Sequence, residues 1–257
     1  MTYAITANKF APKCVEYKDM NVINSHAVAF DKCNFQCAFC GLRKKIRPNF
    51  KDYSSYEFEE KIKQLTECGK SFKFTGGEPT LNPDLEHDLK LVKKYNGKIY
   101  LDTNASNPKK VKALIAENLV DVIGISLKGL SPEEAMQVAG IKNRRLCWDN
   151  VFETIEFAAQ NPNIRTIVTY VLTKPDEAEQ ILDRFAELLK PYPQIYIKIN
   201  NLFPNDVASE NGLSPLKEDR FSQVLKKFVA QHLEYKGRII VIPSMDAMTT
   251  YAAIEFY

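Results

Sequence analysis

Along the chain, short apolar runs alternate with longer segments in which apolar residues recur three and four positions apart. That rhythm predicts parallel strands covered by helices. Residues 26–30 read as the first strand, and Phe58, Ile62 and Leu65 share one face of the helix after it. Residues 72–75 form the second strand, with Leu85, Leu89 and Val92 marking its helix; residues 98–102 form the third, with Val111, Leu114 and Ile115 facing inward from the next helix. Strands at 122–126, 164–170 and 195–200 follow, separated by helices that carry Val151, Ile155 and Ala158 and then Ile181, Leu182, Phe185 and Leu188. Six βα units emerge, and a helix marked by Phe221, Leu225 and Phe228 leads to a peripheral strand at 238–242. Six parallel strands with right-handed crossovers close only partly, which gathers functional groups at one open mouth, at the carboxyl ends of the strands.

Composition agrees with one α/β enzyme domain. At 257 residues and 45% hydrophobic content the chain can bury a full core. We expect a single domain over 1–257, with 1–24 an ordered extension, 25–200 the barrel core and 201–257 a C-terminal helix, strand and tail. No apolar run reaches bilayer length, and the first residues lack the charged-then-apolar order of a signal peptide. The expectation is a cytoplasmic protein without a membrane partner. Six cysteines without regular pairing fit a reducing compartment, and a net charge of +3 is too small to announce nucleic-acid binding.

The run Cys33-Asn-Phe-Gln-Cys37-Ala-Phe39-Cys40 changes the picture. Its C-x3-C-x2-C spacing lets three thiolates converge on one iron-sulfur cluster, and three ligands on a [4Fe-4S] cluster leave one iron open. Half a zinc site, part of an electron-transfer cluster or three packed thiols would share that spacing. The other cysteines, Cys14, Cys68 and Cys147, and the histidines, His26, His87 and His232, are scattered and read as packed or surface residues. Downstream lies Thr75-Gly76-Gly77-Glu78-Pro79-Thr80, directly after the second strand. Two glycines there permit a close backbone approach that a side chain would block.

With both motifs in order, the chain resembles the radical S-adenosylmethionine (SAM) enzymes. That superfamily carries C-x3-C-x-aromatic-C after its first barrel strand and Gly-Gly-Glu-Pro after its second, and Phe39 fills the aromatic position. The resemblance implies a partial (β/α)6 barrel open at the substrate side, with Cys33, Cys37 and Cys40 holding a [4Fe-4S] cluster whose fourth iron is chelated by SAM. It implies that Gly76, Gly77 and Glu78, followed by Pro79, receive the SAM amino group, and that the backbone around Phe39 borders the adenine. It further implies reductive cleavage of SAM to a 5′-deoxyadenosyl radical that abstracts hydrogen from a substrate, with flavodoxin or ferredoxin as electron donor. The chemistry is driven by the cofactor, so no catalytic acid or base is named. Tyr170, at the end of the fifth strand, is a radical relay or, more simply, a packed strand tyrosine.

Two further strand ends narrow the resemblance. Asp102-Thr103-Asn104 and Ser126-Leu127-Lys128 are similar to the Asp-Thr-Asn and Asp-x-Lys segments of pyruvate formate-lyase activating enzyme and its relatives. By that likeness Lys128 approaches the SAM carboxylate, while Asp102 and Thr103 sit beside the methionine moiety, in some relatives with a monovalent cation. Ser126 replaces the usual aspartate, which keeps a hydrogen-bond partner and removes a negative charge from any cation site. Ordinary strand-end capping would also account for Asp102 and Ser126. Residues 24–30 lack the Asp-Gly-Pro-Gly segment of those activases, and Val171-Leu172-Thr173-Lys174 lacks their histidine. The likeness points to a protein or peptide substrate, with a small metabolite or nucleotide as the alternative. A non-catalytic electron carrier or sensor would leave Gly76–Pro79 and Lys128 unexplained. Basic segments at 43–47 and 142–145 suit an acidic partner or a phosphate, and the loop 201–217 and the tail 251–257 are placed to cover the mouth.

Overall fold

The computed structural model describes residues 2–7, 14–17, 20–23, 26–41, 51–67 and 71–242. The basic segment at 43–47, Cys68 and the tail at 251–257 lie outside the described residues. The first half of the chain contributes strands Thr2–Ala7 (β1), Cys14–Tyr17 (β2), Met20–Ile23 (β3), His26–Phe30 (β4) and Lys51–Asp52 (β5), then helix Ser55–Glu67 (α1). Strand Phe72–Gly76 (β6) and helix Leu85–Lys94 (α2) follow, then Ile99–Thr103 (β7), Pro108–Ala116 (α3), Val122–Ser126 (β8) and Pro132–Ala139 (α4). A π-helical turn at Arg145–Asp149 runs into Asn150–Ala159 (α5). The remaining elements are Arg165–Leu172 (β9), Ala178–Leu189 (α6), Tyr196–Asn201 (β10), Asp206–Glu210 (α7), Glu218–Gln231 (α8) and Ile239–Ile242 (β11).

One sheet runs in the order β11-β10-β9-β8-β7-β6-β4-β1-β5. The seven strands from β4 to β11 in that order pair in parallel, as the alternating sequence pattern requires. The sheet does not close: β11 forms one edge, and at the other β1 pairs antiparallel with β4 and β5. The expected N-terminal extension is therefore partly a strand added to the sheet. The strand at 238–242 is present, shortened by one residue, as the parallel neighbour of β10.

The period-two alternation of each strand sorts its side chains onto two faces. The outer face carries Val28, Phe72, Phe74, Leu101, Ile123, Ile125, Val168, Ile197 and Ile199 into the main core against the helices. Phe58, Ile62 and Leu65 from α1, Leu89 and Val92 from α2, and Ile181, Leu182 and Phe185 from α6 meet them there, as the three-four spacing predicts. The inner face holds a smaller apolar layer of Tyr100, Val122, Ile167, Tyr196 and Ile240, the floor of the lumen. Gly124 makes room for it, since a β-carbon there would meet the Tyr100 hydroxyl at 2.5 Å. Tyr170 belongs to the outer face, where it lies 5.5 Å from the Phe185 ring and burial pushes its hydroxyl pKa to about 12. The structure thus makes it a packed strand tyrosine.

Among the described residues no helix is long and apolar enough to cross a membrane.

Candidate functional site

The three motif cysteines occupy the loop that leaves β4 at its carboxyl end. Cys33 is exposed, Cys37 buried and Cys40 half-buried, and none of the three is in a disulfide. Three elements clamp this loop. From one side, the turn after β6 donates Gly77 N–H to Phe30 O (2.7 Å) and Glu78 N–H to Lys32 O (2.7 Å). That approach is why two glycines stand there. Gly76 has φ +102°, and a β-carbon on Gly77 would lie 2.0 Å from Lys32 O. From the other side, the last carbonyls of α4 accept from the loop, Ala139 O from Gln36 N–H (2.8 Å) and Val138 O from Ala38 N–H (3.0 Å). Beyond β10, Asn205 donates its amide to Phe39 O at 3.2 Å. The loop 201–217 therefore does reach the mouth, and part of it is helix α7.

Glu78 is 1% exposed and ties the second motif to the third strand. Its carboxylate accepts from Thr80 N–H (3.1 Å), the Thr80 hydroxyl (2.7 Å), the Thr103 hydroxyl (2.6 Å) and Asn104 N–H (2.6 Å). Burial pushes its pKa up, and those four bonds pull it back only in part. Pro79 is buried and opens a single 3-10 turn. Asn104 extends the network to the cysteine loop, donating to Asn34 Oδ1 (2.8 Å) and, at 3.9 Å, to Cys33 Sγ. Phe35 N–H also points at Cys33 Sγ, at 3.4 Å.

Lys128, after β8, holds its ammonium 5.3 Å from the centre of the Phe39 ring, which brings this lysine to the cysteine loop. Ser126 and Asp102 lie on the inner face of their strands. Asp102 forms an ion pair with Lys73 at 2.7 Å and accepts from the Thr75 hydroxyl at 3.3 Å. Burial raises its pKa, but Lys73 and Lys198 outweigh that and hold it below the usual range. Lys73 thus supplies the positive charge beside Asp102. Sequence reasoning passed over Lys73 and Lys198; the signal was a lysine in the middle of an otherwise apolar strand, which must face a lumen rather than a core.

Cys147 is a packed residue, as expected. Isolated in sequence, it packs with Phe35, Cys37, Ala135 and Ala139 beneath the motif loop, at the π-helical turn. Of the basic segment 142–145, Arg144 pairs with Asp149 at 3.3 Å. His232 sits between Asp183 (2.9 Å) and Glu234 (3.2 Å) as an ordinary paired side chain.

Comparison with known proteins decides the family. A family model of the radical SAM superfamily matches residues 28–189. The chain belongs to the radical SAM superfamily. This superfamily uses a [4Fe-4S] cluster and SAM, and its relatives include a GTP 3′,8-cyclase of Aquifex aeolicus, 30% identical over 60% of this chain and 48% of its own length. A GTP 3′,8-cyclase of Sulfurimonas denitrificans is 25% identical over 80% of this chain and 62% of its own. A Methanocaldococcus jannaschii protein assigned by name to the glycyl-radical enzyme activating enzymes is 27% identical over 72% of both chains. The chain spans about half the length of the first cyclase relatives it matches. Among solved structures, SuiB of Streptococcus suis bound to S-adenosylmethionine superposes with TM-score 0.62 at 15% identity, over 88% of this chain and 51% of that one. TYW1 with a lysine-pyruvate adduct gives 0.60 at 15% identity, over 89% and 83%.

The donor set fits the superfamily's cluster: three cysteines outside any disulfide on one clamped loop, with N–H groups turned toward a sulfur that would carry charge. Among the described residues no three His, Cys, Asp or Glu side chains already converge on one metal position. The loop is a set of donors rather than a finished cage.

Proposed function

We propose that this radical SAM enzyme abstracts a hydrogen atom from a small substrate seated in the barrel lumen. The observation that carries this reading is the inner face of the sheet, where Lys73, Asp102 and Lys198 stand among the apolar layer of Tyr100, Val122, Ile167, Tyr196 and Ile240. A site of this make-up favours a compact polar molecule over an extended chain. The cyclase relatives, named for a nucleotide, support the same class. A protein or peptide substrate is the second reading, supported by the activating-enzyme relative that matches 72% of both chains.

In this reading Cys33, Cys37 and Cys40 hold the cluster. Bound there, cluster and SAM would supply the reductive cleavage of the sulfonium that yields methionine and a 5′-deoxyadenosyl radical, with flavodoxin or ferredoxin as the external one-electron reductant. Lys128 pairs with the SAM carboxylate as a compact cation, and Ser126 offers a hydroxyl beside it. The Glu78 carboxylate is engaged within the protein, so Gly76, Gly77 and Glu78 offer an amino group their backbone carbonyls. Phe39 presents its backbone at the adenine position. Thr103 is committed to Glu78 and keeps that wall rigid, while Asp102 holds Lys73. The clamped loop and the lumen floor exclude water from the reacting carbon.

Anaerobically reconstituted protein is expected to release 5′-deoxyadenosine from SAM with dithionite, and Cys37→Ala to abolish it. Undiminished release from that variant sinks the cluster assignment. Release should rise on addition of a low-molecular-weight cell fraction; a rise with the protein fraction alone selects the peptide reading.

A further inference from the structure

A row of polar inner-face residues crosses three strands above the lumen floor. Ser126 of β8 is in register with Thr169 of β9, and Thr169 with Lys198 of β10. Two residues further along the same face stands Asn200. Across the lumen, Lys73 of β6 lies in its ion pair with Asp102 of β7. One carboxylate therefore faces two ammonium groups, and it is already bonded to Lys73. Lys198 has no ion pair or hydrogen bond among the described residues. The Asn200 side-chain oxygen is buried and likewise accepts no hydrogen bond. A half-buried cation whose counter-charge is shared with Lys73 and a buried carbonyl without a donor are both costly to maintain, and a single ligand that is anionic at one point and carries a hydroxyl or amide beside it would relieve both.

We propose that Lys198 and Asn200, with the Lys73–Asp102 pair opposite, form an anion-binding subsite that fixes the phosphate or carboxylate of a small hydroxylated substrate in the lumen. This rests on the small-substrate reading above and narrows it to an anionic class. The electrostatics agree. Burial first and the neighbouring Lys73 second lower the Lys198 pKa to about 8, the attraction of Asp102 offsetting only part of this. An arriving anion restores full charge to Lys198 and becomes the counter-ion that Asp102 cannot be for both lysines.

The test is calorimetric titration of the full-length reconstituted protein with inorganic phosphate and, separately, acetate, each with and without saturating SAM. Phosphate or acetate should bind the SAM-loaded wild type, and the tighter of the two identifies the anion. Lys198→Gln should weaken that binding at least tenfold, Lys198→Arg should retain it within a few-fold, and the exposed Lys190→Gln should leave it unchanged. Abolition of anion binding by SAM would assign these residues to the SAM carboxylate and overturn the proposal, as would equal affinity in Lys198→Gln. A measurement on the wild type needs no variant to fold: phosphate should protect Lys198 from reductive methylation, read by peptide mass spectrometry, and unprotected Lys198 refutes the subsite. Loss of deoxyadenosine release from the wild type would instead defeat the proposed function, while the anion titration stands on its own.

Discussion

At Gly77 one missing β-carbon decides whether two motifs meet. The carbonyl of Lys32 occupies that space, and it belongs to the residue just before the first motif cysteine. Gly77→Ala must push the β6 turn off the cysteine loop, an overpacking that costs about 1–3 kcal/mol. Denaturant unfolding should show that loss, and a variant as stable as the parent refutes the clamp. Glu78 makes a second residue-scale case. All four groups on its carboxylate are donors, so Glu78→Gln turns one acceptor into a donor against them and leaves a buried bond unmade, again at about 1–3 kcal/mol. Glu78→Asp, too short to span to Asn104, should fare no better. The importance of these residues was legible in the sequence, but the hydrogen bond from the Thr103 hydroxyl to the Glu78 carboxylate was not, because it joins two strand ends 25 residues apart.

Among elements, the helices were read correctly wherever large apolar residues marked a face. Helix α4 was missed because its buried residues are Ala135 and Ala139, too small to register as a hydrophobic stripe. Its grammar was nonetheless present, with Ser131 accepting from Glu134 N–H at the start, Pro132 in the first turn and Gly140 at φ +63° at the end. The miss mattered, because α4 carries the carbonyls that hold the cysteine loop. Helix α2 carries a testable defect in Asp88, which is 1% exposed with one carboxylate oxygen that accepts no hydrogen bond. Burial, helped by the charge of Asp84, raises its pKa from 3.8 to about 7. Between those values the unfolded chain ionises and the folded one does not, so the residue costs stability increasingly as pH rises, and in full above pH 7. Asp88→Asn removes that cost, so the variant's melting temperature should gain on the parent's from pH 4 to pH 8. A difference that stays flat across this range refutes the reading.

For the whole molecule, two cores on opposite faces of one sheet divide the labour. The outer core, between strands and helices, contains none of Cys33, Cys37 and Cys40. Stability should therefore depend little on iron: protein prepared with a chelator should keep its far-UV circular dichroism and unfold cooperatively. Loss of that spectrum on iron removal would show that the cysteine loop, and not the outer core, holds the fold. The inner face carries the residues of the proposed site, and its character follows from register. A one-residue slip in β10 would send Lys198 into the outer core and Ile197 into the lumen, at the cost of a buried charge.

By itself the sequence determined the repeating βα order, the outer-face core and the two motifs that mark the superfamily, because periodicity and short-range spacing are written in consecutive residues. Only the tertiary structure decided that Lys73 pairs with Asp102, that Cys147 packs beneath Cys37, that α4 cradles the thiol loop, and that Lys198 faces the lumen with Asp102 already bonded to Lys73. Those facts join residues from different strands, whose meeting depends on sheet order and register, and neither quantity is encoded in any local stretch of the chain.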